Sequence, residues 1–464
     1  MTRKKIFMLI FLMLYTFLTY LFIINSDGER MILSAFVLVL PAIFIYMGMY
    51  VKLLSTTFFF LIFYLMLFFV QPIYNLLIDY HYYQYSSGSI RTLTTLSVIG
   101  ILYFCIGNCL LVGKKTKLDK MYIKKGAIKK ATVLIGLVTL VSILFSFIDA
   151  GTLNIMSLSR MELKNATFFR LIATYGFYTT SIMYFLVFFT VKARRRTNVL
   201  KWLLIFIILE TLIFMLFRTR SMLVVHSASV MIGYYYSGLY GYNKYNSRVS
   251  PKFITMAMGV GLFLVAITSR FLRGFLQPNQ NITNFDFDLK AFLEASIQSG
   301  DIGYSTTVLD VINYVPATQD LLGGQSYYRL LFIAVPRSIW ENKPLNTQQV
   351  VANWLAPEIP GMSIPPGIIG DAYINFGVSG ILILLIIGVF FSSLDRKLSI
   401  KNFMVWAVSA TWIFHLVRGG FTNPLIIFLM LFVVSTFINY RIFNKNMIRM
   451  DFWEPEFKDA AGYK

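Results

Sequence analysis

Apolar runs of membrane-spanning length, broken by short polar clusters, recur almost from one end of the chain to the other. Their limits fall near 6–24, 31–50, 53–78, 92–112, 131–148 and 171–191. They continue at 202–217, 221–240, 253–269, 368–394, 402–417 and 421–440. A helix crosses a hydrocarbon core of about 30 Å with about 20 apolar residues, so the pattern predicts an all-α polytopic membrane protein with about twelve transmembrane helices. The chain divides into nine spans over 1–269, a large segment over 270–367, three more spans over 368–440 and a tail over 441–464. Within the large segment, Leu289–Ser299, Ile302–Tyr314 and Ser326–Val335 read as short amphipathic helices, the last broken near its end by Pro336. Prolines at 344, 357, 360, 365 and 366 mark the stretch Pro344–Pro366 as irregular backbone. Irregular backbone is tolerated near a membrane where protein buries it or a watery cavity borders it, and loops of this length usually carry function.

Composition agrees: 57% of residues are hydrophobic and 14% are charged. A soluble chain of this size would carry about 25% charged residues, so a soluble enzyme is excluded. The net charge of +21 would suggest nucleic acid in a soluble protein. Here the position of the charges accounts for it, and no nucleic-acid partner is expected. With both termini cytoplasmic, the inner segments hold 28 of the 42 Lys and Arg residues, and the positive-inside rule selects that orientation. Arg3-Lys4-Lys5 before a long apolar run superficially resembles a signal peptide. No small-residue cleavage site follows, so the run is read as the first span. Cys105 and Cys109, four apart in one apolar run, form neither a disulfide framework nor a metal-ligand pattern.

The type of cation differs between the two sides. Of the inner 28, 20 are Lys, whereas the outer side has 11 Arg and only Lys164, Lys290 and Lys343. A lysine point charge is adequate at a lipid headgroup. Arginine presents a planar fork that grips phosphate or carboxylate at two points and tolerates partial burial. The outer face therefore reads as built for an anionic ligand, against the plainer reading that these arginines snorkel or pair with acidic loop residues.

Two motifs stand out near the end of the large segment. The first is Pro336-Arg337-Ser338-Ile339-Trp340-Glu341-Asn342-Lys343-Pro344, where two cations, an aromatic residue and a carboxylate sit between prolines. The second is Gly370-Asp371-Ala372-Tyr373-Ile374-Asn375-Phe376-Gly377, followed by Gly380 at the entry to the tenth span. With these motifs the chain resembles the bacterial oligosaccharide repeat-unit polymerases, the O-antigen polymerases of the Wzy type. The likeness covers about 321–380, with weaker echoes at Arg218-Thr219-Arg220-Ser221 and at His415-Leu416-Val417-Arg418-Gly419-Gly420. Where the family commonly carries Glu, this chain has Asp371, whose carboxylate reaches less far.

The resemblance implies a GT-C-like membrane glycosyltransferase on the outer face of the bacterial cytoplasmic (inner) membrane. Its donor would be a glycan on undecaprenyl diphosphate and its acceptor a single lipid-linked repeat unit. Transfer would release the carrier diphosphate and build O-antigen or a related surface polysaccharide. A chain-length-regulating copolymerase is an expected partner, beside the membrane lipids. Because the leaving group is a stable anion, fixed cations near it and an aligned acceptor hydroxyl would lower the barrier.

Candidate diphosphate-binding cations are Arg218, Arg220, Arg270, Arg273, Arg337, Lys343 and Arg418, at span ends or in the large segment. Arg337 is the leading one and a candidate catalytic residue. His415, Asp371 and Glu341 are rival candidates for the base that accepts the hydroxyl proton. Trp340 and Tyr373 are candidate sugar-binding aromatic residues. The histidines, His81, His226 and His415, all fall on the outer side in this topology, and Glu210 is the clearest charge inside a span. Asp286-Phe287-Asp288 has the D-x-D form of metal-dependent glycosyltransferases, a weak signal in isolation. No metal and no other cofactor is expected. A ligase that attaches finished glycan to an acceptor has nearly the same chemistry. A lipid-linked oligosaccharide flippase is the alternative from another class.

Overall fold

The structure, a computed structural model, describes residues 3–111, 121–123, 125–151, 168–190, 196–217, 221–239, 294, 297–298, 303–332, 335, 339–359, 362–396, 403–443 and 447–449. Its first helices are α1 (Arg3–Asn25), α2 (Glu29–Tyr50), α3 (Thr56–Phe68), α4 (Val70–Leu77) and α5 (Ser87–Leu111). Next come α6 (Lys125–Ala150), α7 (Phe168–Thr190), α8 (Arg196–Phe217) and α9 (Ser221–Leu239). The large segment contributes α10 (Ser305–Tyr314), α11 (Gln325–Leu331) and α12 (Thr347–Leu355). The chain continues through α13 (Gly367–Phe376), α14 (Ile381–Arg396), α15 (Phe403–Gly419) and α16 (Thr422–Ile438). Two three-residue strands, β1 (Met121–Ile123) and β2 (Met447–Arg449), pair antiparallel with Tyr122 opposite Ile448.

Every predicted span except the ninth holds a helix, and the ninth, 253–269, lies outside the described residues. Six helices are long and apolar enough to cross a membrane, or seven if α3 and α4 form one bent span. Several turn apolar side chains away from the protein: Phe7, Ile10, Leu14 and Phe17 on α1, and Val133, Leu137, Leu140 and Leu144 on α6. Faces this apolar are solvated by lipid, and the chain is an all-α membrane protein.

The chain forms two compact units. The first comprises Met1–Lys115, Asp286–Lys397 and Ile413–Ile426. Its centre is a close crossing of α5 and α14. A Cβ on Gly107 would lie 2.1 Å from the Leu385 carbonyl oxygen, and one on Gly388 would lie 2.2 Å from that of Phe104. Small residues let the backbones touch, which is how helices associate in lipid, where burying apolar surface brings no gain over the solvent. Beside the crossing, the buried Asn108 carboxamide accepts from the Tyr46 hydroxyl at 2.6 Å. It donates to Thr57 Oγ1 at 2.9 Å and to the Gly388 carbonyl at 3.2 Å. At one end of α14, Asp395 caps α3: its two oxygens accept the backbone N–H groups of Thr56 and Thr57 at 3.1 and 3.2 Å and both hydroxyls at 2.7 Å. An anion at a helix N-terminus satisfies donors that the helix itself leaves open.

The bend between α3 and α4, 40°, has a sequence cause. Pro72 lacks the N–H that Phe68 would use, and its ring crowds that carbonyl. The released groups find partners at the start of α10: the Tyr304 N–H donates to the Leu67 carbonyl at 3.1 Å and the Ser305 hydroxyl to that of Phe68 at 3.2 Å.

The second unit comprises Thr116–Phe285, Leu398–Trp412 and Ile427–Lys464. Here α7 packs on α6 and α9, with Gly176 against Ser142 and Gly233 against the Phe185 carbonyl. Tyr184, Val187, Phe188, Phe206, Val230 and Tyr234 form a buried apolar cluster.

Two expectations for the large segment change. The third amphipathic helix is shorter than predicted: α11 stops at Leu331, and the Val335 N–H donates to the Phe332 carbonyl at 3.1 Å. The Pro344–Pro366 stretch is not wholly irregular, since α12 occupies Thr347–Leu355. Asn346 caps it by accepting from the Gln349 N–H at 2.9 Å, and the Gln349 side chain returns a contact to Asn346 at 2.8 Å. This reciprocal cap, with Pro344 and Pro357 falling outside the helix, is the local reason it forms.

Candidate functional site

The short helices α10–α13 and the corner between α15 and α16 gather at one end of the first unit, and their joint is Asp371. Its carboxylate, 0% exposed, accepts the Thr347 hydroxyl of α12, the Tyr327 hydroxyl of α11 at 3.0 Å and the Phe421 backbone N–H at 2.8 Å. The Phe421 contact depends on Gly420, which has φ of +77°; a Cβ there would lie 2.6 Å from the Asp371 Cβ. Only glycine allows both the left-handed backbone and the close approach. Asn375, one turn along α13, donates to the Asp371 carbonyl at 2.8 Å and accepts from Ser326 at 2.9 Å, which fixes α11 on α13 a second time. Burial pushes the Tyr327 hydroxyl pKa well above its usual range, and the Asp371 charge adds to this. That phenol stays a donor to the carboxylate.

Three residues before Phe421, Arg418 donates through Nε to the Tyr304 hydroxyl, with its guanidinium 5.8 Å from the centre of that ring. Tyr304 is the buried residue whose N–H also donates to the Leu67 carbonyl of the broken span, so Arg418 is held beside the α3–α4 bend. Gln348 donates to the Gly419 carbonyl at 3.0 Å and accepts from Ser363 at 2.9 Å. On the other side of the bend, Gln71 and Asn75 of α4 are buried and bonded to Gln298, at 3.2 and 2.7 Å. The Tyr74 hydroxyl reaches Glu294 at 3.0 Å. Asp310 on α10 accepts from Tyr85 at 2.6 Å. Burial raises its carboxyl above the ordinary 3.8, partly offset by that hydrogen bond.

The structure thus brings together Asp371 and the segment containing Arg418, two stretches that the sequence keeps some fifty residues apart. The Pro336–Pro344 motif is placed differently. Lys343 is buried and donates to the Val335 carbonyl at 2.8 Å, bracing its own loop. Trp340 is half-buried against Phe332, with ring centres 5.6 Å apart, and Glu341 is exposed. Tyr373 turns inward and donates to the Val315 carbonyl at 3.1 Å. His415 is half-buried on α15, its ring 6.0 Å from that of Phe414. Arg218, Arg220, Arg270, Arg273, Arg337 and Asp286–Asp288 lie outside the described residues. The arginine bias has a partial local explanation: Arg30 pairs with Asp79 at 3.2 Å, and Arg91 donates to the Ser26 carbonyl at 2.9 Å. Among the described residues no three His, Cys, Asp or Glu side chains gather as a metal site.

A second polar centre lies in the other unit. His226 is 0% exposed, with Nδ1 2.7 Å from Glu210 and Nε2 2.9 Å from the Phe177 carbonyl. A carbonyl only accepts, so Nε2 carries a proton and one further proton is shared between Nδ1 and the carboxylate. The site is neutral overall wherever that proton sits. His81, by contrast, is on the surface, 3.5 Å from Glu29.

The signal for the His226–Glu210 pair was present in the sequence. Glu210 and His226 are ionisable residues inside two consecutive apolar helices, α8 and α9, and that pairing of types in adjacent spans is the signal. Thr347, Tyr327 and Tyr304 carried no such signal, because their roles come from long-range packing.

No protein-family model, curated protein or solved structure matches the chain. The fold itself defines the class: an all-α membrane protein with a helical cap at one end of its first unit.

Proposed function

We propose that this protein is a membrane glycosyltransferase that polymerises undecaprenyl-diphosphate-linked repeat units into O-antigen or a related surface polysaccharide. In this reading about twelve spans adopt a GT-C-like arrangement in the bacterial cytoplasmic membrane. Both termini are cytoplasmic and the α10–α13 cap faces outward. The observation that carries it is the union, through Asp371, of the Gly370–Gly377 motif with the Arg418–Phe421 corner. The first stretch belongs to the resemblance and the second overlaps its weaker echo at His415–Gly420, and their meeting in space is independent of it.

Asp371, closed to solvent and already accepting three donors, is assigned as a positioning residue rather than the base. It sets the α15–α16 corner and so places Arg418 beside the bend. Arg418 is assigned to the departing diphosphate, together with Arg337 of the same unit. A charge-assisted contact there contributes about 1.5–3 kcal/mol, roughly one to two powers of ten in rate. His415 and Glu341 remain the candidate bases. Donor, acceptor and a chain-length-regulating copolymerase are the proposed partners.

The test is the surface glycan of a deletion strain. Single capped repeat units without a ladder are the expected outcome. Unmodified acceptor with long polymer still on the carrier would identify a ligase instead. One observation favours the flippase reading: the His226–Glu210 pair, since ionisable residues within spans often mark transport pathways. A flippase deletion would leave carrier-linked units on the cytoplasmic face and yield neither capped unit nor polymer.

A further inference from the structure

We propose that α11 and the turn at Ile339–Trp340 form a membrane-surface anchor, set into the lipid–water boundary beside the cap. The proposal is independent of the reaction catalysed. It begins with the length of one span. Gly367–Arg396 is 30 residues long, or about 45 Å at 1.5 Å per residue, more than the hydrocarbon core requires. Counting about 20 residues back from the charged end at Asp395–Arg396 reaches the region of Phe376, where the helix breaks at Gly377. The exposed face of this span, Val378, Leu382, Ile386 and Phe390, repeats every four residues up to that break. These are lipid-facing side chains.

At the break, α11 is fixed to the span. The Tyr327 ring stacks on Phe376 at 5.6 Å with planes 5° apart, and the Leu322 N–H donates to the Ile374 carbonyl at 2.9 Å. From this base Leu331 and Ile339 project with 79% and 76% of their surface exposed, beside the half-exposed Tyr328. Tyr328, Phe332 and Trp340 interlock, with ring centres 5.0–6.3 Å apart. Two protruding aliphatic side chains on a bed of Tyr, Phe and Trp are costly in water. They suit the headgroup region, where amphipathic aromatic residues collect and short apolar faces insert by several ångströms. Its attachment to the span at Phe376, where the lipid-facing stripe ends, commits the patch to lipid rather than to a protein partner.

The full chain carrying Leu331→Cys or Ile339→Cys, labelled with an environment-sensitive fluorophore, tests this in liposomes. Cys105 and Cys109 are buried, so labelling can be directed to the new thiol. Asp320→Cys, on an exposed loop, is the aqueous reference, and Ile386→Cys, at the middle of the lipid-facing stripe, is the deep reference. A nitroxide near the lipid headgroup should quench the dyes at 331 and 339 severalfold more than one near the chain end, and aqueous iodide should quench them weakly. Iodide quenching equal to that at 320, with no nitroxide effect, would overturn the proposal. Shielding from both quenchers that fades as the protein-to-lipid ratio falls would also overturn it, by assigning the patch to a second copy of the chain.

Discussion

The backbone N–H of Phe421 points at the carboxylate of Asp371, 2.8 Å away, and that contact joins two parts of the chain that the membrane pattern alone would leave unrelated. Removing the carboxylate leaves three donors from three elements without an acceptor. Each unsatisfied group costs about 1–3 kcal/mol, less what water entering the space restores. Asp371→Ala should therefore lower stability by about 3–5 kcal/mol, a loss readable as a fall in detergent melting temperature. Gly420→Ala, which strains the same corner, should lose about 1–3 kcal/mol with the carboxylate intact. Wild-type melting in both variants would mean the joint does not hold the cap.

Arg418 and Tyr304 separate charge from placement. In the polymerisation assay Arg418→Ala should slow ladder formation by about one to two powers of ten. Arg418→Lys should recover a small part, because the ammonium keeps charge without the planar fork. Tyr304→Phe keeps the ring beneath the guanidinium but removes the hydroxyl that orients Nε. Its effect should be milder, about tenfold or less in turnover, for a loss of about 1 kcal/mol. Polymer built at the wild-type rate by Arg418→Ala would remove Arg418 from the proposed diphosphate site.

The Asp310–Tyr85 pair predicts a pH dependence. Burial raises the folded-state pKa of Asp310 above its ordinary 3.8, so the folded protein holds this proton more tightly than the unfolded chain. The resulting stability is complete below the ordinary value and is lost as pH rises through the raised one. At neutral pH the buried charge is a net cost. Asp310→Asn keeps an acceptor for the Tyr85 hydroxyl and avoids that cost. It should melt higher than wild type at neutral pH, and the advantage should vanish as pH falls below about 4. A variant less stable at neutral pH would show that the Tyr85 hydrogen bond requires the charge.

How far the sequence foretold these features follows from the range of the interactions. Helix positions are legible because a run of about 20 apolar residues between charges is a local signal. The α3–α4 bend was legible only in part, since Pro72 marks a kink but not the Tyr304 and Ser305 groups that satisfy it. The Asn346–Gln349 cap of α12 was readable but was hidden by the surrounding prolines. Asp371 reads from its motif as chemistry, whereas its burial depends on Thr347, Tyr327 and Gly420, which approach it only after folding. Lys343 and Tyr373 read from the sequence as ligand-binding, yet each side chain bonds to a backbone carbonyl. Residue type and spacing do not reveal that an acceptor of this kind lies within reach.

The His226–Glu210 pair separates a structural fastening from a proton-handling site. The Phe177 carbonyl fixes a proton on Nε2, leaving Nδ1 to share one proton with Glu210. Glu210→Gln can reproduce that bond, because the amide N–H donates to the Nδ1 lone pair of a neutral imidazole. Glu210→Ala cannot, and leaves a buried ring nitrogen unpaired at about 1–3 kcal/mol. If the pair fastens α7, α8 and α9, Glu210→Gln should melt close to wild type and build normal polymer, while Glu210→Ala melts lower. A transport role requires that the carboxylate release or take up the proton, which an amide cannot do. Glu210→Gln would then fold normally yet lose all activity. That result would displace the fastening role and move the balance toward the flippase reading.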